Sequence, residues 1–145
     1  MGSDVNYFWT HGVNLIVQNE PDAAADIRRN SQGTRIQQNR GYNWFHFGVP
    51  TPTKLKDHTI HYKHAYLRGQ INENAFIRKV HIYEGGQRRL KEDNLAFVSR
   101  PLEELDLNIP DGECNEPMAI CIFAEFENGG EIQFAGAGIR FDDVW

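Results

Sequence analysis

Histidine is the side chain with the widest chemistry in this chain of 145 residues, which contains six of them. Imidazole binds metal ions, and it also acts as a general acid and base near neutral pH. Three of the six, His58, His61 and His64, fall within seven residues. The residues around them alternate as in a strand, so His58 and His64 share one face and His61 points to the other. This spacing is typical of a solvated polar strand face, and we expect neither a metal site nor another cofactor.

His46 and His81 each lie in an aromatic segment and, if these segments are strands, point away from their apolar neighbours. If the two segments pair or face each other, Trp44, His46, His81 and Tyr83 form a polar aromatic wall. This wall could bind a planar or glycosidic ligand, with His46 or His81 transferring a proton. In the simpler alternative, both histidines are partly exposed and hold backbone carbonyls.

Tyrosines alternate with a histidine in the long segment 60–71, where Tyr62, His64 and Tyr66 share a face. Rings spaced in this way form platforms for sugars, while neighbouring polar groups bind the hydroxyls. Such residues also occur at sheet rims and oligomer contacts for packing alone. The residues expected to bind the ligand are Trp44, Tyr62, His64, Tyr66, Tyr83 and Arg140, and the candidates for catalysis are His46 and His81.

The sequence offers little for nucleophilic catalysis, since it has no Gly-x-Ser-x-Gly elbow and no serine beside a histidine. Its two cysteines, Cys114 and Cys121, are too few for a disulfide framework and lack the spacing of a zinc site. Cys121 lies in an apolar run and is expected to be buried, whereas Cys114 lies in a Gly- and Pro-rich connection where a thiol can react. With so few cysteines and no signal-like segment at the start of the chain, we expect a cytoplasmic protein.

The composition argues against several classes of protein. Hydrophobic residues make up 40% and charged residues 24%, which is too apolar for a disordered chain and too polar for a membrane span. The 15 lysines and arginines are outnumbered by 20 aspartates and glutamates, for a net charge of −5. Phosphate binding draws on clustered basic residues, so we expect neither nucleic acid nor a membrane as a partner.

Alternating Val, Ile and aromatic residues predict strands along most of the chain. Turn sequences at residues 71–74, 84–87 and 128–130 predict tight hairpins, and residues 22–29 and 102–105 favour short helical turns. We therefore predict an all-β fold, a single antiparallel β-sandwich or jelly-roll-like domain over residues 1–145 with at most one or two helical turns. The candidate strands are residues 7–9, 13–18, 34–38, 44–49, 60–71, 76–84, 105–109, 118–127 and 131–141.

Two segments carry further information about strand faces. Residues 118–126 are apolar on both faces, as in a central strand whose outer face is covered by a loop or a second protomer. In the last strand, strict alternation places Gly136, Gly138 and Arg140 on one face with Ile132 and Phe134. Glycines inside a strand mark a bulge, a bend or the close approach of backbone or ligand.

Four segments resemble a family of small bacterial proteins of unassigned function. They are residues 9–12 (WTHG), 43–52 (NWFHFGVPTP), 80–85 (VHIYEG) and 136–141 (GAGIRF). The resemblance spans most of the chain. It implies a β-sandwich domain, found alone or beside biosynthetic and secreted enzymes, and it does not imply an activity.

Three functions remain open at this point. The first is the binding of a small organic or carbohydrate ligand in one pocket lined by Trp44, His46, Tyr62, His64 and His81, with Arg140 against an anionic or carbonyl group. The second is a cofactor-independent cyclase or isomerase that uses His46 or His81 in the same pocket. The third is a structural or assembly subunit that forms homo-oligomers through residues 118–126. Trp9 and Trp145, near the chain ends, are expected to be plugs or dimer contacts.

Overall fold

A computed structural model describes residues 3–18, 25–52, 59–71, 74–95 and 103–144 of the chain. In this part of the chain the fold is all-β, with eleven strands and a single turn of 3-10 helix at Gly12–Asn14. The strands are β1 (Ser3–His11), β2 (Ile16–Val17), β3 (Ala25–Asn30), β4 (Gly33–Gln38), β5 (Gly41–Val49), β6 (Thr59–Ile71), β7 (Ala75–Glu84), β8 (Gln87–Glu92), β9 (Glu103–Glu113), β10 (Met118–Phe126) and β11 (Gly130–Val144).

The strands form two antiparallel sheets. Sheet A has the order β3-β4-β11-β6-β9. Its strand β11 changes partner along its length, because β4 pairs with residues 130–134 and β1 pairs with residues 136–144. Sheet B has the order β2-β5-β10-β7-β8. The antiparallel β-sandwich predicted from alternation is confirmed.

The core lies between the sheets and is filled by side chains that alternation assigns correctly in β5 and β10. In β5, Phe45 and Phe47 are fully buried, while Trp44 and His46 point away from the core. In β10, Ile120 and Ile122 point inward in the same way. Burying one such side chain contributes roughly 1.5–3 kcal/mol. This layer holds the sheets together and leaves their outer faces free for other roles.

Two of the three predicted turns lie between strands of different sheets. Residues 84–87 form a true hairpin between β7 and β8, where φ of Gly85 is 56°. The turn at 128–130 carries the chain from β10 in sheet B to β11 in sheet A, with Asn128 and Gly129 at positive φ. β6 and β7 also lie in different sheets, and residues 72–73 between them are outside the described residues. The hairpin between β3 and β4 was not predicted.

Both predicted helical turns are wrong where the structure describes them. β3 covers Ala25–Asn30, and β9 begins at Glu103. Residues 22–24 and 102 lie outside the described part of the chain. Each strand pairs with a neighbour, and these ladder hydrogen bonds outweigh a weak local preference for helix. The predicted strand at 13–18 is instead the end of the 3-10 turn followed by the short β2.

A bulge in β11 reverses the faces predicted for the second half of that strand. Against β6, Phe134 pairs with Gly69 and Gly136 with Arg68, so Ala135 is an extra residue. The glycine-rich segment does mark a bulge, and strict alternation is wrong beyond it. After the bulge the core residues are Ala137, Ile139 and Phe141, and the outward residues are Gly136, Gly138 and Arg140.

A second bulge, in β6, separates residues that were expected to share a face. Tyr62 pairs with Phe141 and His64 with Arg140, so Lys63 is the extra residue. Tyr62 consequently points into the core, where it is 4% exposed. His64 and Tyr66 lie on the outer face of sheet A, and the predicted common face of Tyr62 with these two residues is wrong.

Candidate ligand-binding groove on sheet A

Four strands of sheet A, β1, β11, β6 and β9, lie side by side and place their outward residues in rows. The central row consists of Trp9, Gly138, Tyr66 and Asp106. The rows on either side are Tyr7, Arg140, His64 and Asn108, and His11, Gly136, Arg68 and Glu104. Aromatic residues therefore come from β1 and β6, and carboxylates come from β9.

Three aromatic rings form the floor of a groove on this face. The ring centroid of Tyr66 lies 5.6 Å from that of Trp9 and 6.0 Å from that of Tyr7. Tyr66 is buried, whereas Tyr7 is 53% and Trp9 is 37% exposed. A Cβ at Gly138 would lie 2.6 Å from Cε3 of Trp9, so only glycine lets the indole lie against the sheet at this position.

Charged side chains line the groove, which has a volume of about 520 Å³. Nε of Arg68 donates a hydrogen bond to Oε2 of Glu104 at 2.7 Å, and the guanidinium carbon lies 4.3 Å from the ring centroid of Trp9. Nδ1 of His64 lies within hydrogen-bond distance of Oδ1 of Asp106, at 2.9 Å. The groove thus presents flat rings beside both hydrogen-bond donors and acceptors.

Burial and neighbouring charges set the protonation of two groups at this site. Desolvation raises the pKa of Tyr66, and the carboxylate of Asp106 raises it further, so the phenol stays protonated. Arg140, next to the groove, donates to Asp142 from Nε at 3.0 Å and from Nη2 at 3.3 Å. This hydrogen bonding raises the pKa of Arg140, which is therefore a permanently charged and already paired cation.

The outer face of sheet B brings together the four residues of the predicted aromatic wall. The ring centroid of Trp44 lies 5.2 Å from that of His81 and 6.4 Å from that of His46, and Tyr83 follows His81 by two residues in β7. Nε2 of His81 lies 2.7 Å from Oδ1 of Asp93. His81 is only 8% exposed.

His46 also has a partner on this face. Its Nε2 lies 2.7 Å from Oε1 of Gln18. Burial lowers the pKa of His46, so the imidazole is neutral at pH 7. As a neutral ring between two strands it is held in one orientation, and its proton-transfer role stays a prediction.

The outward side of β10 is covered in part by side chains of the same sheet. The ring of Phe123 lies 5.0 Å from Trp44 and is stacked on Tyr42 at 5.1 Å, measured between centroids. Nζ of Lys79 lies 5.1 Å from the centroid of Phe123. The residues that flank β10 on β5 and β7 provide this cover, and homo-oligomer formation stays a prediction.

The predicted site residues therefore do not form one pocket, because they lie on opposite sides of the sandwich. Sheet B carries Trp44, His46, His81 and Tyr83; sheet A carries His64, Tyr66 and Arg140; and Tyr62 lies in the core between them. His58 and Trp145 lie outside the described residues.

Five residues of the groove escaped the sequence analysis: Tyr7, Trp9, Arg68, Glu104 and Asp106. The spacing of Tyr7 and Trp9 by two residues was a usable signal, because it places both rings on one face of a strand. Their neighbour is β11, at the other end of the chain. No local pattern indicates such a distant pairing, so Trp9 was expected to be a plug or a dimer contact.

Neither cysteine is suited to nucleophilic chemistry. Cys114 and Cys121 are both buried free thiols, and desolvation raises the pKa of each to about 11. The reactivity predicted for Cys114 is therefore wrong, because burial disfavours the thiolate.

Among the described residues, no group of three His, Cys, Asp or Glu side chains is placed to hold a metal ion. The same part of the chain contains no helix that is long and apolar enough to cross a membrane.

Solved structures similar to this chain include several carbohydrate-binding modules. The xylan-binding module CBM15 is 13% identical, with a TM-score of 0.49 and coverage of 99% of this chain and 97% of that chain. A family 29 module from Piromyces equi is 8% identical, with a TM-score of 0.48 and coverage of 98% and 91%. The module TmCBM61, solved in complex with beta-1,4-galactotriose, is 10% identical, with a TM-score of 0.48 and coverage of 90% and 86%.

Among curated proteins, none matches this chain. Residues 4–144, nearly the whole chain, match a single family of proteins. This agrees with the resemblance seen in the four sequence segments, which implied a family of unassigned function. The chain belongs to the family described as Family of unknown function (DUF6623).

Proposed function

We propose that this chain binds an oligosaccharide in the groove of sheet A. The observation that carries the proposal is the pair of exposed rings on β1, Tyr7 and Trp9, beside the buried ring of Tyr66. Sugar rings have apolar C–H faces that stack on flat aromatic side chains. Tyrosine and tryptophan provide this contact area at a small cost in conformational entropy.

The polar side chains around the rings suit the hydroxyl groups at the edge of a stacked sugar. The carboxylates of Glu104 and Asp106 accept hydrogen bonds from hydroxyls, and the guanidinium of Arg68 donates to sugar oxygens. The volume of about 520 Å³ falls within the range of small-ligand sites, roughly 300–1,000 Å³. Rings and polar groups lie on rigid strands, which favours binding because little has to be ordered.

The aromatic face of sheet B supports this function less well. His81 is almost fully buried and is held by Asp93, and His46 is held by Gln18. The exposed ring of that face, Tyr42, is stacked on Phe123, whereas Tyr7 and Trp9 offer exposed ring surface beside a groove of about 520 Å³.

Calorimetric titration with neutral β-1,4-linked oligosaccharides of xylose, glucose, galactose and mannose tests the proposal. We expect at least one of them to bind. Trp9→Ala should raise its Kd about thirtyfold, because loss of a central aromatic contact costs about 2 kcal/mol.

Tyr42→Ala is the matched control, since Tyr42 is an exposed ring (58%) on the opposite sheet. Its Kd should stay within about twofold of the unaltered chain. Melting temperatures establish that both variants are folded. Equal losses in the two variants, or no binding of any oligosaccharide, neutral or charged, would contradict the proposal.

A second candidate function, a cofactor-independent cyclase or isomerase, rests on the His81–Asp93 pair. The carboxylate of Asp93 fixes the orientation of the imidazole, and Trp44 lies beside it to order a flexible substrate. A mass-spectrometric screen of linear terpenoid and polyketide-like compounds tests this function. His81→Gln should abolish any turnover found, and unchanged turnover in His81→Gln excludes the mechanism.

A further inference from the structure

The groove on sheet A carries more carboxylates than cations. Its lining includes Glu104 and Asp106 from β9, against one permanent cation, Arg68 from β6. The adjacent Arg140 is matched by Asp142. Three carboxylates, those of Glu104, Asp106 and Asp142, therefore stand against the two guanidinium groups, which leaves a net charge of −1 on these five side chains.

The two cations near the groove are already paired, so little positive charge is left for a ligand. Nε of Arg68 lies 2.7 Å from Glu104, and Arg140 makes two hydrogen bonds to Asp142. Asp106 is the more accessible of the two lining carboxylates, because its side chain is 54% exposed and that of Glu104 is 35% exposed. Asp106 is therefore the charge that an incoming ligand meets.

The aromatic floor independently favours a positive charge. The face of an indole or phenol ring attracts cations through its quadrupole. Trp9 already holds the guanidinium of Arg68 at 4.3 Å from its centroid, whereas Tyr7 is the most exposed ring of the floor. Asp106 occupies the same row as Tyr66. A cationic group on a sugar stacked on Tyr7 or Tyr66 would therefore also lie close to the carboxylate of Asp106.

We propose that the groove selects oligosaccharides whose sugars carry a free amino group, in preference to neutral sugars and against uronic acids. This inference rests on the proposed oligosaccharide binding and adds the charge of the ligand to it. An ammonium group gains attraction from Asp106, and a uronate carboxylate is repelled by it without gaining an unpaired cation.

Calorimetry with three probes tests the selection: the tetrasaccharides of glucosamine, N-acetylglucosamine and galacturonic acid. At about pH 7 and low salt, where Asp and Glu are ionised, we expect the glucosamine oligomer to bind about tenfold more tightly than its N-acetylated counterpart. The galacturonate oligomer should bind most weakly. The preference should shrink as salt is added, because the charges lie at an exposed site.

Two isosteric variants locate the preference. Asp106→Asn should abolish the tenfold ratio between the glucosamine oligomer and its N-acetylated counterpart. Asp111→Asn is the matched control, since Asp111 makes the same type of contact, 3.0 Å to His61, between the same two strands and outside the groove. It should leave the ratio unchanged.

The outcomes separate this inference from the function on which it rests. If the N-acetylated or galacturonate oligomer binds as tightly as the glucosamine oligomer, the charge selection is wrong and oligosaccharide binding stands. If Asp106→Asn and Asp111→Asn give the same ratio of Kd values for the N-acetylated and glucosamine oligomers, Asp106 is not the source of the preference. The inference is then also overturned. If none of the three probes, nor any of the neutral sugars above, binds, the proposed function itself fails.

Discussion

At the scale of single residues, the groove depends on a glycine, Gly138. Gly138 lies between Trp9 and Tyr66 in the central row, and its lack of a Cβ lets the indole of Trp9 approach the strand. Glycines in this strand indicated a bulge, a bend or a close approach, and at Gly138 the group that approaches is an aromatic ring of the same chain.

Gly138→Ala should therefore weaken oligosaccharide binding. The new Cβ would lie 2.6 Å from the Trp9 ring and 2.9 Å from the carbonyl oxygen of Phe8, so the indole must move. We expect the Kd measured by calorimetry to rise about tenfold, or about 1.4 kcal/mol. Gly48→Ala on sheet B, where a Cβ meets no atom within 4 Å, is the control and should leave the Kd unchanged. Equal Kd values for the two variants would show that the position of the indole does not matter.

The two thiols give a prediction about pH. Burial raises the pKa of Cys114 and Cys121 to about 11, whereas an unfolded thiol ionises near pH 8.5–9. Raised folded pKa values mean that the unfolded chain loses its protons first, so stability falls as the pH rises above about 9. At pH 8, iodoacetamide should label both thiols far more slowly in the folded chain than in urea. Mass spectrometry measures this, and rapid labelling of either thiol in the folded chain would contradict the burial.

At the scale of elements, bulges decide which residues meet. Alternation assigned the faces of β5 and β10 correctly. These two strands pair with each other without an extra residue, so Phe45 and Phe47 and, opposite them, Ile122 and Ile120 all point into the core. In β6 and β11, one extra residue each, Lys63 and Ala135, reversed the faces that follow. The glycines of β11 signalled a bulge in that strand, but the sequence around Lys63 has no such signal, so the separation of Tyr62 from Tyr66 could not be predicted.

Long-range pairing is the other part of the fold that the sequence does not reveal. The turn residues at 128–130 were recognised, yet nothing in them indicates that the chain changes sheets there. The pairing of β1 with β11 joins the two ends of the chain and creates the groove. Tyr66 was predicted as a binding residue from the pattern of its own strand. A binding role for Trp9 could be inferred only from the pairing of β1 with β11.

The exchange of partners along β11 gives a prediction about stability. The end of β1 and the start of β4 meet beside β11, and there Gly12 and Gly33 both pack on the carbonyl oxygen of Phe134. A Cβ at Gly12 would lie 1.9 Å from that oxygen, and the backbone cannot yield cheaply. Gly12→Ala should lower the free energy of unfolding by roughly 2–3 kcal/mol in urea titrations.

The control for this element is Gly86→Ala, in the β7–β8 turn, where a Cβ meets no atom within 4 Å. It should change the free energy of unfolding by less than about 0.5 kcal/mol. Similar losses in both variants would show that a clash of the new Cβ with the carbonyl oxygen of Phe134 is not what destabilises the Gly12→Ala variant.

At the scale of the whole molecule, one sandwich presents two aromatic faces of different character. The face of sheet A combines exposed rings with charged side chains in an open groove. The face of sheet B packs Trp44, Phe123 and Tyr42 on one another and holds both of its histidines by hydrogen bonds. The exposed rings and the open groove of sheet A are the reason for proposing ligand binding on that face.

The most direct test of this assignment is nuclear magnetic resonance of the chain titrated with the tightest-binding oligosaccharide. The indole N–H signals report on each face separately, because Trp9 lies in the groove and Trp44 lies on sheet B. We predict that the Trp9 signal and the backbone amides around Tyr7, Tyr66 and Asp106 shift on binding, while the Trp44 signal does not. Shifts of Trp44 and of the amides around His46 and His81, with Trp9 unmoved, would contradict the assignment.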